Sequence, residues 1–142
     1  MDQIYEVGIV FRGFVLVNHV IKELPAQTTA VNKDLRGMFI SAITSFVDSC
    51  FKNNNLEYLE SKDILFVFKI APITSKDSNS EEPVVFYGLI EKKKNSDKAV
   101  KKFLEKVEPI LQSFVAKYNH KDFTELNQFE PFINTIKGFF KE

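Results

Sequence analysis

The sequence predicts an α+β domain. In it, an antiparallel sheet of about five strands is sandwiched in three α/β/α layers, one helix on one face and two on the other. Three observations lead there. A strand hairpin comes first, then one helix, then further strands, then one or two long helices, all within 142 residues. Nearly every strand segment is apolar at successive positions, so both faces of the sheet need cover. The length suits one domain with a substantial core, here residues 1–142 throughout, with no internal repeat.

The elements follow in order. Ile4–Phe11 and Phe14–Ile21 are rich in Val, Ile and Phe and read as two strands. Arg12-Gly13 between them fits a two-residue hairpin turn, although Arg is not a favoured first turn residue. Leu24–Val31, with Pro25 and several Thr, reads as a connection. Asn32 can cap a helix over about Lys33–Lys52, whose apolar positions Leu35, Met38, Phe39, Ala42, Ile43, Phe46, Val47 and Cys50 have helical spacing. Asn53-Asn54-Asn55 ends it. A short strand, Leu56–Glu60, turns at Ser61-Lys62-Asp63 into Ile64–Ala71.

Pro72–Glu82 is polar and reads as a mobile loop, and Pro83–Glu91 as the last strand. Ser96 is placed to cap the next helix. Its stripe of Val100, Phe103, Leu104, Val107, Ile110, Leu111, Phe114, Val115 and Tyr118 is the cleanest in the chain. Pro109 inside it should kink it near Glu105. Asp122 and Glu125 have capping-box spacing for a last helical segment, which Pro131 can restart. Phe129, Phe132, Ile133, Ile136 and Phe140 supply its apolar side.

Composition narrows the function classes. Nineteen basic residues balance nineteen acidic ones, so there is no general attraction to nucleic acid or an anionic membrane. One cysteine, Cys50, excludes an internal disulfide and a Cys-rich zinc site, and it falls on the core side of its helix as an inert thiol. The opening Met1-Asp2-Gln3 is not the basic start of a signal peptide, and no stretch approaches a membrane span, so a cytosolic protein is expected.

Catalytic chemistry has no visible footing. His19 and His120 are the two histidines, and neither has partners at zinc or triad spacing, so structural or solvent roles are expected. The five glycines form no phosphate-cradling loop. Gly37 and Gly88 are either tolerated imperfections or sites of close backbone approach. No catalytic residue, metal site or cofactor is expected. Lys92-Lys93-Lys94, with Lys98, Lys101, Lys102 and Lys106, is the one basic cluster. It reads as a solvated face or, in the sharper reading, as a patch for an acidic partner or membrane surface centred on Lys92, Lys93, Lys94 and Lys98.

The helix over Asn32–Phe51 is the best functional clue. At about 100° per residue its core stripe runs through Met38, Ala42, Phe46 and Ile43. Ile40, Val47 and Phe51 fall beyond it and widen the apolar arc to roughly 200°, where a covered face needs only ~100°. Either the last helix or a partner protein should cover those three, which makes them a candidate interface.

The element order resembles the longin and roadblock superfamily of small profilin-like trafficking domains, over essentially the whole chain. The echoes are the opening Ile4-Tyr5-Glu6-Val7-Gly8-Ile9-Val10 hairpin, the Asn32–Phe51 helix, and Phe86-Tyr87-Gly88-Leu89-Ile90 running into the Ser96 helix. The two terminal helices suit the longin arm better than the roadblock one. The Lys- and Asn-rich style looks archaeal or otherwise low-GC. The resemblance implies a non-enzymatic domain that pairs with a like domain, as a homo- or heterodimer, and binds small GTPases or their regulators. Roadblock-type dimers use the first helix and an edge strand. No SNARE-like coiled coil is expected after Glu142, which counts against vesicle fusion. The alternative is a small-molecule sensor of the PAS or GAF kind, with Pro72–Glu82 as its lid.

Overall fold

The computed structural model describes residues 4–22, 58–60 and 64–140. They form an α+β arrangement built on a five-stranded antiparallel sheet of order β2-β1-β5-β4-β3. The strands are β1 (Ile4–Phe11), β2 (Phe14–Val20), β3 (Tyr58–Glu60), β4 (Ile64–Thr74) and β5 (Glu81–Glu91). Helix α1 (Ser96–Tyr118), a 3₁₀ turn (Leu126–Phe129) and helix α2 (Phe132–Phe139) follow.

The β1–β2 turn adopts the geometry that its sequence demands. Arg12 and Gly13 both have positive φ, 52° and 80°, so the two-residue turn twists with the strands it joins. Three residues past Gly13, β2 carries a bulge. Ile9 pairs with Val17 and Val10 with Val15, which leaves Leu16 as the extra residue. The bulge turns Leu16 and Val17 into the same core, where both are buried.

The sheet has two apolar faces. On the first, Val7, Ile9, Phe11, Val67, Val84 and Phe86 pack with both helices. Helix α1 lies over β4 and α2 over β2. The stripe read from the sequence is the buried side of α1: Val100, Phe103, Leu104, Val107, Ile110, Leu111, Phe114 and Tyr118 are buried, with Val115 partly so. Phe114, Tyr118, Phe123, Phe129 and Phe132 form one aromatic cluster that joins α1 to the chain beyond it. On the second face, Tyr5, Val10, Phe66, Phe68, Val85, Tyr87 and Leu89 are buried as well.

Several boundaries differ from the sequence reading, each for a physical reason. Strands β4 and β5 run through Pro72 and Pro83, which pair with each other, so the expected Pro72–Glu82 loop shrinks to Ser75–Ser80. Neither proline has an N–H, and the pair needs none. Among the described residues no β3 residue pairs with Pro72, and Pro83 lies past the end of β1. The short loop is also tied down: Lys76 N donates to Lys121 O at 2.8 Å and His120 N to Thr74 O at 2.6 Å. The α1 cap is Asn95, not Ser96, because the Asn95 side chain accepts from Lys98 N at 3.1 Å. The helix continues through Pro109. Asp122 makes no capping box; its Oδ1 accepts from Thr124 N and Oγ1 in a local turn.

Candidate functional site

The helix expected over 33–52, and with it Ile40, Val47, Phe51, Gly37 and Cys50, lies outside the described residues. Among the described residues, the features with functional potential lie at the sheet edges, at the loop end of the sheet and on the surface of α1.

The two edges of the sheet are built differently. At one edge the described residues of β3 are Tyr58–Glu60, and Glu60 pairs with Lys92 at 3.1 Å. Farther along, β4 carries Lys69, which reaches Glu108 of α1, and Pro72. Short strands, charges and proline are the usual guards against edge-to-edge pairing. At the other edge β2 is seven residues, FVLVNHV, with no formal charge apart from what His19 can acquire and no proline. Among the described residues β2 pairs with β1 alone. Among the described residues it also carries three of the four large exposed apolar side chains: Phe14 at 62%, Val15 at 39% and Val20 at 46%. The fourth, Phe139, is on α2, the helix that packs on β2.

The register of β2 says where these groups point. Val15, Asn18 and Val20 pair with Val10, Gly8 and Glu6, so they share the second face of the sheet, and all three are exposed there. That face is buried along β5 and β4 and open along β2. His19 stands opposite Val7 on the first face. Burial, with a smaller effect from nearby Lys137, holds its pKa below the usual 6.5.

The sequence reading did not find Arg12. Its guanidinium makes a two-pronged contact with Glu82, Nε to Oε1 at 2.9 Å and Nη2 to Oε2 at 2.6 Å. It also reaches Asp77 Oδ2 at 3.1 Å and the Oγ of fully buried Ser75 at 3.2 Å. Ser78 Oγ donates to the same Glu82 oxygen at 2.9 Å. These bonds hold the Glu82 carboxyl below its ordinary range, chiefly through the Arg12 hydrogen bond. The signal was present: an Arg in a positive-φ turn position is unfavourable locally, which points to a tertiary partner. The cluster fastens the β1–β2 turn to the β4–β5 turn, with the one Arg12 cation shared between the carboxylates of Glu82 and Asp77.

A cleft of about 710 Å³ lies between α1 and the β3–β4 side of the sheet, lined by Tyr58, Lys69, Asp97, Val100, Leu104 and Glu108 among others. Its polar groups largely pair within it. Tyr58 donates to Asp97 Oδ1 at 2.7 Å, and Lys69 Nζ is 3.5 Å from Glu108 Oε2. The basic cluster near the start of α1 is partly engaged too. Lys92 pairs with Glu60, and Lys93 pairs with Glu91 at 3.0 Å. Lys94 and Lys98 are exposed and form no ion pair among the described residues. His120 lies in the turn after α1 with φ 66°, its backbone bonded to Thr74. Among the described residues, no three His, Cys, Asp or Glu side chains gather as a metal site, and no helix is long and apolar enough to cross a membrane.

Comparison of the chain with protein-family models, curated proteins and solved structures finds no match.

Proposed function

We propose that the chain is a non-enzymatic protein-interaction domain of the longin and roadblock kind. In this reading it is a three-layer sandwich that pairs with a like domain and acts in the cytosol as a scaffold or regulator of a small GTPase, in a trafficking-type system. The five-stranded antiparallel sheet and the two terminal helices on one face support the architecture. The burial of β4 and β5 on both faces supports a further layer on the second face. The observation that carries the interaction reading is the inequality of the edges. Among the described residues one edge is charged at Glu60, while the other is seven residues long, uncharged and lined with exposed Phe14, Val15 and Val20. Ile40, Val47 and Phe51 remain the candidate second part of the interface, and Lys94 and Lys98 the remaining free charge of the basic patch.

The test is a calorimetric titration of the purified chain with a panel of small GTPases in their GDP and GTP-analogue states, and with longin-type domains. Saturable binding to a member of either group is the expected result. No binding across both groups would remove this reading.

The cleft beside α1 favours a second reading, a PAS- or GAF-like sensor. Its apolar floor, Val100 and Leu104, and its mixed charged rim have the make-up of a small-molecule site. It ranks second because Tyr58, Asp97, Lys69 and Glu108 already pair with each other. A metabolite that raises the melting temperature, with the effect abolished by Leu104→Glu, would put the sensor first.

A further inference from the structure

We propose that Ser78 is a phosphorylation site, and that its phosphate takes Arg12 from Glu82 and so opens the clasp between the β1–β2 turn and the β4–β5 turn. This stands independently of the pairing reading.

Two serines of the β4–β5 turn touch the clasp, and one of them is accessible. Ser75 Oγ accepts from Arg12, but Ser75 is fully buried. Ser78 is exposed, as are Lys76, Asp77, Asn79, Ser80 and Glu81 around it. The Ser78 hydroxyl donates to Glu82 Oε2 at 2.9 Å, and Arg12 Nη2 donates to the same oxygen at 2.6 Å. A single carboxylate oxygen therefore bridges the Ser78 hydroxyl and the guanidinium.

The flanking charges define the enzyme that fits. Asp77 precedes Ser78, and Glu81 and Glu82 follow it. A serine kinase whose peptide groove is lined with Lys or Arg is complementary to that run. In the transfer, Ser78 Oγ attacks the γ-phosphorus of ATP. The Oγ–P bond forms as the bond from that phosphorus to the bridging oxygen breaks. ADP leaves, and the hydroxyl proton passes to the kinase's base.

The product cannot keep the clasp as it stands. The hydroxyl proton that Glu82 accepts is gone. In its place is a group of about −1.5 to −2 charge at neutral pH, with three acceptor oxygens. The unmodified clasp already sets one guanidinium against two carboxylates, those of Glu82 and Asp77. The phosphate repels both, and it carries more charge than either, so it is the better partner for Arg12. Glu82, at the start of β5, is then released.

The experiment treats the full chain with ATP and an acid-directed serine kinase and maps the phosphate by fragmentation mass spectrometry. Phosphate on Ser78, with none incorporated by Ser78→Ala, is the expected result. Phosphate confined to another residue such as Ser80, or none after prolonged incubation, would overturn the site. The consequence is read on a chain with phosphoserine installed at position 78 during synthesis, so that it does not depend on the kinase. Its phosphorus NMR resonance should titrate at lower pH than in the Arg12→Gln variant, because the cation favours the dianion. Glu82→Gln should lower the melting temperature of the unmodified chain, and leave unchanged or raise that of the phosphorylated one. Equal titration with and without Arg12, or the same loss from Glu82→Gln in both forms, would overturn the transfer of Arg12. If Arg12→Gln fails to fold, the Glu82→Gln comparison decides.

Discussion

The ring of Phe103 rests on the backbone of Gly88. A Cβ placed on that glycine would overlap the Phe103 ring at Cζ. Phe103 is a buried residue of α1, and Gly88 sits mid-strand in β5 opposite Val67 and Val7. The glycine is thus a seat for the helix, which answers the choice between close approach and tolerated imperfection in favour of close approach.

Gly88→Ala is expected to destabilise the domain by about 1–3 kcal/mol, because Phe103 must leave its place in a packed core. Phe103→Leu in the same chain should recover part of that loss. Chemical denaturation of the two single variants and the double variant measures the coupling, and simple additivity would contradict the contact.

Asn95→Ala should cost about 1 kcal/mol through loss of the cap on Lys98 N. Ser96→Ala should cost less, since the Ser96 hydroxyl makes only a 3.4 Å bond to Lys93 O. Thermal melts of the pair tell which residue begins the helix.

The Arg12 cluster predicts an acid-sensitive step. The folded-state pKa of Glu82 is lowered, mainly by Arg12, so its stabilisation is present above the ordinary 4.5 and is lost as pH falls through the folded value. Glu82→Gln should flatten the stability profile below pH 4.5 and cost about 1 kcal/mol at neutral pH, the upper range for a partly exposed pair. Urea melts across that window measure both effects.

His19 works in a higher window with its own sign. Its folded pKa is lowered by burial and by Lys137, so the unfolded chain takes up the proton first. Stability from this group is complete above pH 6.5 and declines as pH drops below it. His19→Gln should remove that part of the slope and leave the Glu82 part in place.

Tyr87 donates to the buried carboxyl of Glu6 at 2.6 Å, across the β1–β5 ladder on the second face. Tyr87→Phe should cost about 1–3 kcal/mol, the range for losing a hydrogen bond to a buried polar group. Gly8 lies under the same ring, its notional Cβ 2.5 Å from Cε1, so Gly8→Ala should displace the hydroxyl and mimic part of the loss.

What the sequence disclosed depended on whether the deciding physics was local. Strand β1 and the Arg12-Gly13 turn were legible because apolar runs and turn chemistry are properties of neighbours. The α1 stripe was legible for the same reason. The extensions through Pro72 and Pro83 were not, since a proline is tolerated or excluded according to which side of a strand has a neighbour. The Arg12 site was hidden because its partner lies 70 positions away. The undefended β2 edge becomes visible only when the strand order is known. Polar composition suggested a mobile loop at 72–82, yet the carbonyls and amides that anchor Ser75–Ser80 come from the end of α1 and the turn after it.

The strand order also sets a timetable for the chain as it is made. Strand β1 sits second in the sheet, but its inner neighbour is β5, with Phe11 beside Val84 and Ile4 beside Ile90. A nascent chain can close the β1–β2 hairpin early. It must then hold that hairpin, with Val7, Ile9 and Phe11 uncovered, until Glu81–Glu91 has left the ribosome and can dock against it. During that interval the apolar side of the hairpin lacks its native cover, and the Arg12–Glu82 clasp forms only when the β4–β5 turn arrives.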